Sequence, residues 1–96
     1  MNRVKVIEVT TATCGICKSI APMISKAVEL LGDKIDFEKK EVTWDDDIVK
    51  EHDIRQVPTF LFFDDDKLLG KHIGSIMLPT FTKLVSDYYK QINNEQ

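Results

Sequence analysis

The sequence has few cysteines, no long apolar run and no excess of positive charge. Only two cysteines occur in 96 residues, whereas a small secreted domain held together by disulfides usually carries four or more. The longest apolar run, Phe60–Phe63, falls far short of the roughly 18 residues of a membrane span. The net charge of -3, without a basic patch, argues against nucleic acid or an anionic membrane as partner.

The first ten residues also lack the pattern of a secretion signal, which needs a basic start, an apolar stretch and a small-residue cleavage site. We therefore expect a soluble, cytoplasmic protein. With 43% hydrophobic and 30% charged residues, the chain suits one globular domain that buries its own core. No repeat or linker interrupts it, so we predict a single domain over residues 1–96, acting as a monomer.

Hydrophobic spacing predicts the start of the fold. The segment Val4–Val9 is apolar on both faces, as a central strand should be. A one-sided apolar stripe then predicts a helix that ends at Gly32 and contains Pro22. The charged alternation of Ile35–Val42 predicts an exposed edge strand.

The second half of the chain predicts a short helix, a hairpin and a terminal helix. Thr43 or Asp45 can cap the short helix. The acidic turn Asp64–Asp66 separates two strands, which should pair antiparallel, and helical spacing returns after Pro79. The order β-α-β-α-β-β-α predicts an α/β fold whose four-stranded mixed sheet is flanked by three helices.

Both cysteines belong to one motif, Cys14-Gly15-Ile16-Cys17, between the first strand and the first helix. A disulfide across so short a loop stabilises a fold by only about 2 kcal/mol, against about 3 for a 15-residue loop. A helix N-terminus, in contrast, stabilises a thiolate and makes it reactive. We predict that Cys14, which a substrate can approach, attacks a disulfide and that Cys17 resolves the mixed disulfide.

Other readings of the two cysteines are a metal site or an inert pair. Zinc needs about four ligands, and His52 and His72 have no ligand spacing to the dithiol. No feature of the sequence supports an iron–sulfur cluster shared between two chains. A purely structural cysteine pair stays open as an alternative, and we expect no metal and no bound cofactor.

Beyond the dithiol, the chain resembles the thioredoxin family over about Val4 to Gln91. Pro22 stands five residues after the second cysteine, as in that family. Ile54–Thr59 looks like the family segment that carries a cis-proline, which implies a cis bond before Pro58.

The resemblance also implies a substrate groove beside the dithiol. The backbone of Val57 would hold an extended substrate by strand-like hydrogen bonds. Gly74 matches a glycine near this groove, and we include Thr13, Gly15 and Ile16 among the predicted substrate contacts.

The family also places a buried acid six residues before the first cysteine and pairs it with a lysine on the adjacent strand. Glu8 and Lys39 match these two positions. The resemblance implies that Glu8 has a raised pKa and takes the proton from Cys17. The alternative is that Glu8 simply points to solvent.

The chain departs from the family pattern at Thr13, where tryptophan is usual, and at Ile16, where proline is usual. It begins directly at the strand before the dithiol, which implies a core of glutaredoxin size. It shows neither the Cys-Pro-Tyr-Cys centre nor the Gly-Gly pair of glutaredoxins, so glutathione dependence is not expected.

The predicted function is thiol–disulfide exchange with protein disulfides, with electrons supplied by a protein resembling thioredoxin reductase. Two alternatives remain: a binding or redox-sensing module without turnover, and a glutathione-linked reductase.

Overall fold

The computed structural model describes residues 2–94 as four strands and three helices. Residues 1, 95 and 96, which the predicted domain includes, lie outside this range. The sheet has the strand order β2-β1-β3-β4, so the prediction of a central first strand is confirmed. The strands are β1 (Val4–Thr10), β2 (Ile35–Glu41), β3 (Thr59–Asp64) and β4 (Lys67–Ile73).

The helices are α1 (Gly15–Leu31), α2 (Asp47–Glu51) and α3 (Leu78–Ile92), with one 3₁₀ turn between α1 and β2. As predicted, α1 contains Pro22 and ends at Gly32. Gly32 has a φ of 59°, which favours glycine, and its N–H bonds to the carbonyl of Val28.

Strand pairing confirms the predicted α/β fold with a mixed sheet. Strand β1 runs parallel to β2 and antiparallel to β3, and β3 and β4 form an antiparallel hairpin. The register places Thr10 opposite Glu41, Val9 opposite Thr59, and Thr59 opposite Ile73. These residues lie at the strand ends on one side of the sheet. We call this side the dithiol end of the sheet, because α1 begins just beyond Thr10.

The sheet separates two apolar clusters. The larger one joins α1 and α3 to one face, where the Phe81 ring lies 5.6 Å from that of Phe60 and 6.4 Å from that of Phe62. The smaller cluster joins α2 to the other face through Val49. Alternate residues of a strand share a face, so Glu8 lies on the side of α1 and α3, with the buried valines earlier in β1.

The predicted cap of α2 is wrong, because the residue at the N-cap position is Asp46. The hydroxyl of Thr43 donates to Asp45 Oδ1 over 2.6 Å. The N–H of Thr43 donates to Asp46 Oδ2 over 3.0 Å, and the N–H of Asp46 donates to the carbonyl of Thr43 over 3.1 Å. These polar groups close a turn ahead of the helix, which leaves neither Thr43 nor Asp45 to cap it.

Strand β2 is an edge strand of the sheet, which confirms the prediction. Within residues 2–94, no helix has both the length and the apolar content needed to cross a membrane.

Candidate active site

The dithiol lies where β1 passes into α1. Cys14 is the N-cap residue of α1, with extended backbone angles, and its N–H bonds to the carbonyl of Thr11 over 3.2 Å. The turn between β1 and α1 therefore holds Cys14 at the positive end of the helix dipole. The sequence predicts this position for Cys14, and a helix N-terminus is a site that favours a thiolate.

Cys14 and Cys17 form a disulfide, with their Cα atoms 5.3 Å apart. The N–H of Cys17 points at the sulfur of Cys14, with a nitrogen–sulfur distance of 3.1 Å. A donor aimed at one sulfur favours negative charge there. The two residues are 9% and 4% exposed, so Cys14 is the more accessible.

The residues around the sulfurs are open to solvent. Thr13, just before the N-cap Cys14, is exposed, as are Gly15 and Ile16 at the start of α1. A Cβ atom built on Gly15 would meet nothing within 4 Å, so packing does not require glycine there. These three positions are free to contact a bound substrate.

Glu8 is fully buried two residues before the end of β1, so the alternative that it points to solvent is wrong. Neither carboxylate oxygen has a hydrogen-bond partner among the described residues. Burial raises the pKa of Glu8 above its ordinary value, because a charged carboxylate is poorly solvated there, and the positive charge of Lys39 partly opposes this.

Lys39 lies opposite Glu8 on β2, but its side chain is exposed. Within the described part of the chain, no ion pair joins the two residues, since the ion pairs there involve other side chains. Lys39 therefore acts on Glu8 through its electric field.

A pocket of about 220 Å³ opens beside the disulfide. Sequence analysis missed most of its wall, although Lys18 directly follows the motif and Glu41 is matched to Thr10 by the strand register. The lining residues are Thr10, Thr11, Ala12, Cys14, Cys17, Lys18, Lys39 and Glu41.

Pro58 and Gly74 meet at the dithiol end of the sheet. The bond between Val57 and Pro58 is cis, as predicted, and the N–H of Gly74 bonds to the carbonyl of Pro58 over 2.8 Å. Gly74 has a φ of 92°, and a Cβ on it would come within 3.3 Å of the side-chain nitrogen of Gln56. Glycine therefore allows the chain to turn tightly after β4.

The two histidines have other partners. The ring of His52 packs edge-on against Phe63, with 5.9 Å between ring centroids, and His72 Nε2 lies 3.1 Å from the carbonyl oxygen of Ser75. In the described range, no group of three or more histidine, cysteine, aspartate or glutamate residues is arranged to hold a metal ion.

Residues 1–87 match the family model of thioredoxin. The chain belongs to the thioredoxin family. A curated thioredoxin of Mycoplasmoides gallisepticum is 35% identical to it over 77 residues, covering 78% of this chain and 74% of the relative. A thioredoxin of Malassezia sympodialis is 35% identical over 75 residues, covering 77% of this chain and 71% of the relative.

Solved thioredoxin structures share the fold. The oxidised form of mitochondrial thioredoxin 3 from Saccharomyces cerevisiae superimposes with a TM-score of 0.77 at 32% identity, covering 91% of this chain and 80% of the other. With its redox-active cysteine pair, this thioredoxin-family chain is a thiol–disulfide oxidoreductase that acts on protein disulfides.

Proposed function

We propose that the chain reduces protein disulfides with Cys14 as the nucleophile and Cys17 as the resolving thiol. The Cys14 thiolate attacks a substrate disulfide, one substrate sulfur leaves as a thiolate, and a mixed disulfide forms. The Cys17 thiol then loses its proton and attacks Cys14, which releases the second substrate sulfur. The chain ends with its own disulfide, and the substrate has gained two electrons. The observation that carries this assignment is the disulfide at the N-terminus of α1, with the N–H of Cys17 aimed at Cys14.

The proton of Cys17 needs an acceptor, and we assign this role to Glu8. Its carboxylate is buried, lacks a hydrogen-bond partner among the described residues and has a raised pKa. A base whose pKa approaches the working pH transfers protons efficiently. Lys39 favours the charged form of Glu8, which is the form that can accept the proton.

We assign substrate positioning to the surface beside the sulfurs, where the family resemblance implies a groove. Its predicted floor is the backbone of Val57, with Pro58 and Gly74 at the same end of the sheet. Thr13, Gly15 and Ile16 would contact the other side of the substrate segment. An extended segment can bond to exposed backbone groups without regard to its side chains, which suits an enzyme of many substrates.

Cytoplasmic location, a monomeric state and a reductase protein as electron donor belong to the same proposal. A lone dithiol of this spacing suits a reducing compartment, where it can cycle. Since the dithiol itself carries the two electrons, exchange needs no bound cofactor.

The test is the reduction of insulin disulfides with dithiothreitol as electron source. We expect acceleration by the wild type, none by Cys14→Ser, and loss of turnover in Cys17→Ser. Mixed with insulin in the absence of dithiothreitol, reduced Cys17→Ser should form a covalent substrate adduct detectable by mass. Adduct formation through Cys17 in Cys14→Ser would reverse the assignment of the two sulfurs.

Two further arms separate the alternatives. A wild type that binds a substrate disulfide but does not accelerate its reduction would be a binding or sensing module. Turnover that depends on glutathione and glutathione reductase, with none from dithiothreitol or a thioredoxin reductase, would indicate a glutathione-linked reductase.

A further inference from the structure

Exposed apolar side chains concentrate at the dithiol end of the sheet. Six large apolar residues within residues 2–94 are exposed, and four of them lie in segments that begin or end at the dithiol end of the sheet. The remaining two, Leu30 and Leu68, lie in the last turn of α1 and at the start of β4, away from it. The four are Ile16, Trp44, Ile73 and Met77.

Trp44 is the only tryptophan of the chain and is 52% exposed. It is a central residue of the turn between β2 and α2, which hydrogen bonds between Thr43 and Asp46 close from both sides. The backbone is thus held in place while about half of the surface of Trp44 stays exposed. A large, preorganised aromatic group can bind a partner with little loss of conformational entropy.

The strand register brings this turn to the dithiol. Glu41 ends β2 opposite Thr10, and both residues line the pocket that contains Cys14 and Cys17. The N–H of Val42 also bonds to the carbonyl of Thr10 over 2.8 Å. Because Trp44 is three residues after Glu41, their Cα atoms are at most about 11 Å apart.

Trp44 therefore follows the end of β2 on one side of β1, and Pro58 and Gly74 lie on the other side. Glu41 lines the pocket beside the Cys14 sulfur, so we expect residues of a protein disulfide that reaches this sulfur to lie near the turn after β2. Contact between an exposed indole and an apolar group is favourable, because it removes both apolar surfaces from water.

We propose that Trp44 is a substrate-contact residue, packing against apolar side chains that flank the reacting cysteine of protein disulfides. This inference rests on the proposed function, since it assumes attack by Cys14. The substrate class it names is protein disulfides with an apolar residue beside the reactive cysteine.

The test measures how fast the reduced protein reacts with three disulfides, each of which can contact it over a larger area than the one before. They are hydroxyethyl disulfide and two tryptophan-free peptide disulfides, alike except that serine or leucine flanks the cysteine. Rates are measured by quenching with an alkylating reagent and counting modified protein thiols, so that variants without tryptophan can be followed. We expect Trp44→Ala to lower the second-order rate constant about fivefold for the leucine peptide only, the effect of losing an aromatic contact.

Two matched variants complete the design. Leu30→Ala removes a similarly exposed apolar side chain far from the dithiol and should leave all three rates unchanged. Trp44→Phe should keep most of the rate with the leucine peptide, since it retains an aromatic surface. Equal slowing of all three disulfides by Trp44→Ala would indicate a structural effect on the dithiol and would overturn the inference, as would an unchanged rate with the leucine peptide.

The fluorescence emission of Trp44 reports directly on its contact with the substrate. In Cys17→Ser the mixed disulfide with Cys14 persists, and Trp44 is the only indole. Its emission should move to shorter wavelength with the leucine peptide and stay unchanged with the serine peptide. The same emission in both adducts would overturn the inference. A wild type that reacts with none of the disulfides would refute the proposed function, and the contact with it.

Discussion

Glu8 and Lys39 face each other across two parallel strands, yet one is buried and the other exposed. Their Cα atoms are register partners in β1 and β2. Glu8 has no access to solvent, and neither of its oxygens finds a hydrogen bond among the described residues. Burial is the larger influence on the pKa of Glu8 and raises it, while Lys39 lowers it by a smaller amount. The fold therefore keeps a carboxyl group buried near the end of β1 at a cost in stability.

Replacing Glu8 by glutamine should stabilise the protein at neutral pH. Below the ordinary pKa of 4.5 the carboxyl is protonated whether the chain is folded or unfolded, so it carries no ionisation penalty. As pH rises, the unfolded chain releases the proton first, and stability falls until the raised pKa of the folded state is passed. The loss is about 1.4 kcal/mol for each unit by which folding raises the pKa.

Urea unfolding of oxidised wild type and Glu8→Gln at pH 4 and pH 8 measures this effect. The variant should gain stability relative to the wild type only at the higher pH, since all other carboxyl groups are common to both proteins. A difference that is the same at both pH values would show that the folded pKa of Glu8 is not raised.

Replacing Lys39 by glutamine should raise the pKa of Glu8 further, because it removes the positive charge that opposes burial. Lys40→Gln is the matched control: Lys40 is also exposed on β2 but lies opposite Val9. The pKa is followed by NMR through the carboxyl carbon of Glu8. Equal shifts in the two variants would indicate a general effect of net charge rather than a specific influence of Lys39.

Gly70 should resist replacement because Tyr88 occupies the space that a side chain would need. A Cβ atom built on Gly70 meets the hydroxyl of Tyr88, whose ring packs 5.2 Å from that of Phe62. Gly70→Ala should cost about 1–3 kcal/mol of unfolding free energy, the usual cost of overpacking. In a Tyr88→Phe background the cost should be smaller, which a double-mutant cycle measures. An equal cost in both backgrounds would exclude this contact as the cause.

Truncation of Val85 tests the larger core cluster. Val85 is fully buried in α3, so Val85→Ala should lower the free energy of unfolding by about 2 kcal/mol through lost burial and a residual cavity. Leu30→Ala removes more apolar surface, but Leu30 is 60% exposed, so its effect should stay within about 0.5 kcal/mol. Urea unfolding at constant m-value compares the two. Similar losses in both variants would contradict the burial argument.

Local pattern was sufficient for the elements of the fold. The apolar residues of Val4–Val9 and the stripe that ends at Gly32 predict β1 and α1 because burial imposes a period of two on strands and 3.6 on helices. The cap of α2 was predicted wrongly, since Thr43, Asp45 and Asp46 can bond to one another or to a helix end. Which bonds form depends on how the chain leaves β2, and short-range preference does not specify it.

Some residues of the site were likewise predicted from the sequence, and others were found only in the tertiary structure. Cys14 and Cys17 are three positions apart, so their chemistry and their place at a helix start are visible in the chain itself. The family resemblance added Glu8, Lys39 and Pro58. The pocket wall at Glu41 was missed. It is separated from the cysteines by 24 or more positions, and only the pairing of β1 with β2 brings it there.

The family resemblance implied that Glu8 is buried, but only the tertiary structure shows what covers it, because β1 alone does not say which face the longer helices cover. The sheet, with α1 and α3 on one side, removes the carboxyl group from water and so raises its pKa. The sequence carries the reactive groups, since spacing along the chain is sufficient to place two thiols on one helical turn. Tertiary packing sets their surroundings, because solvation and electric fields depend on neighbours that are distant in the chain.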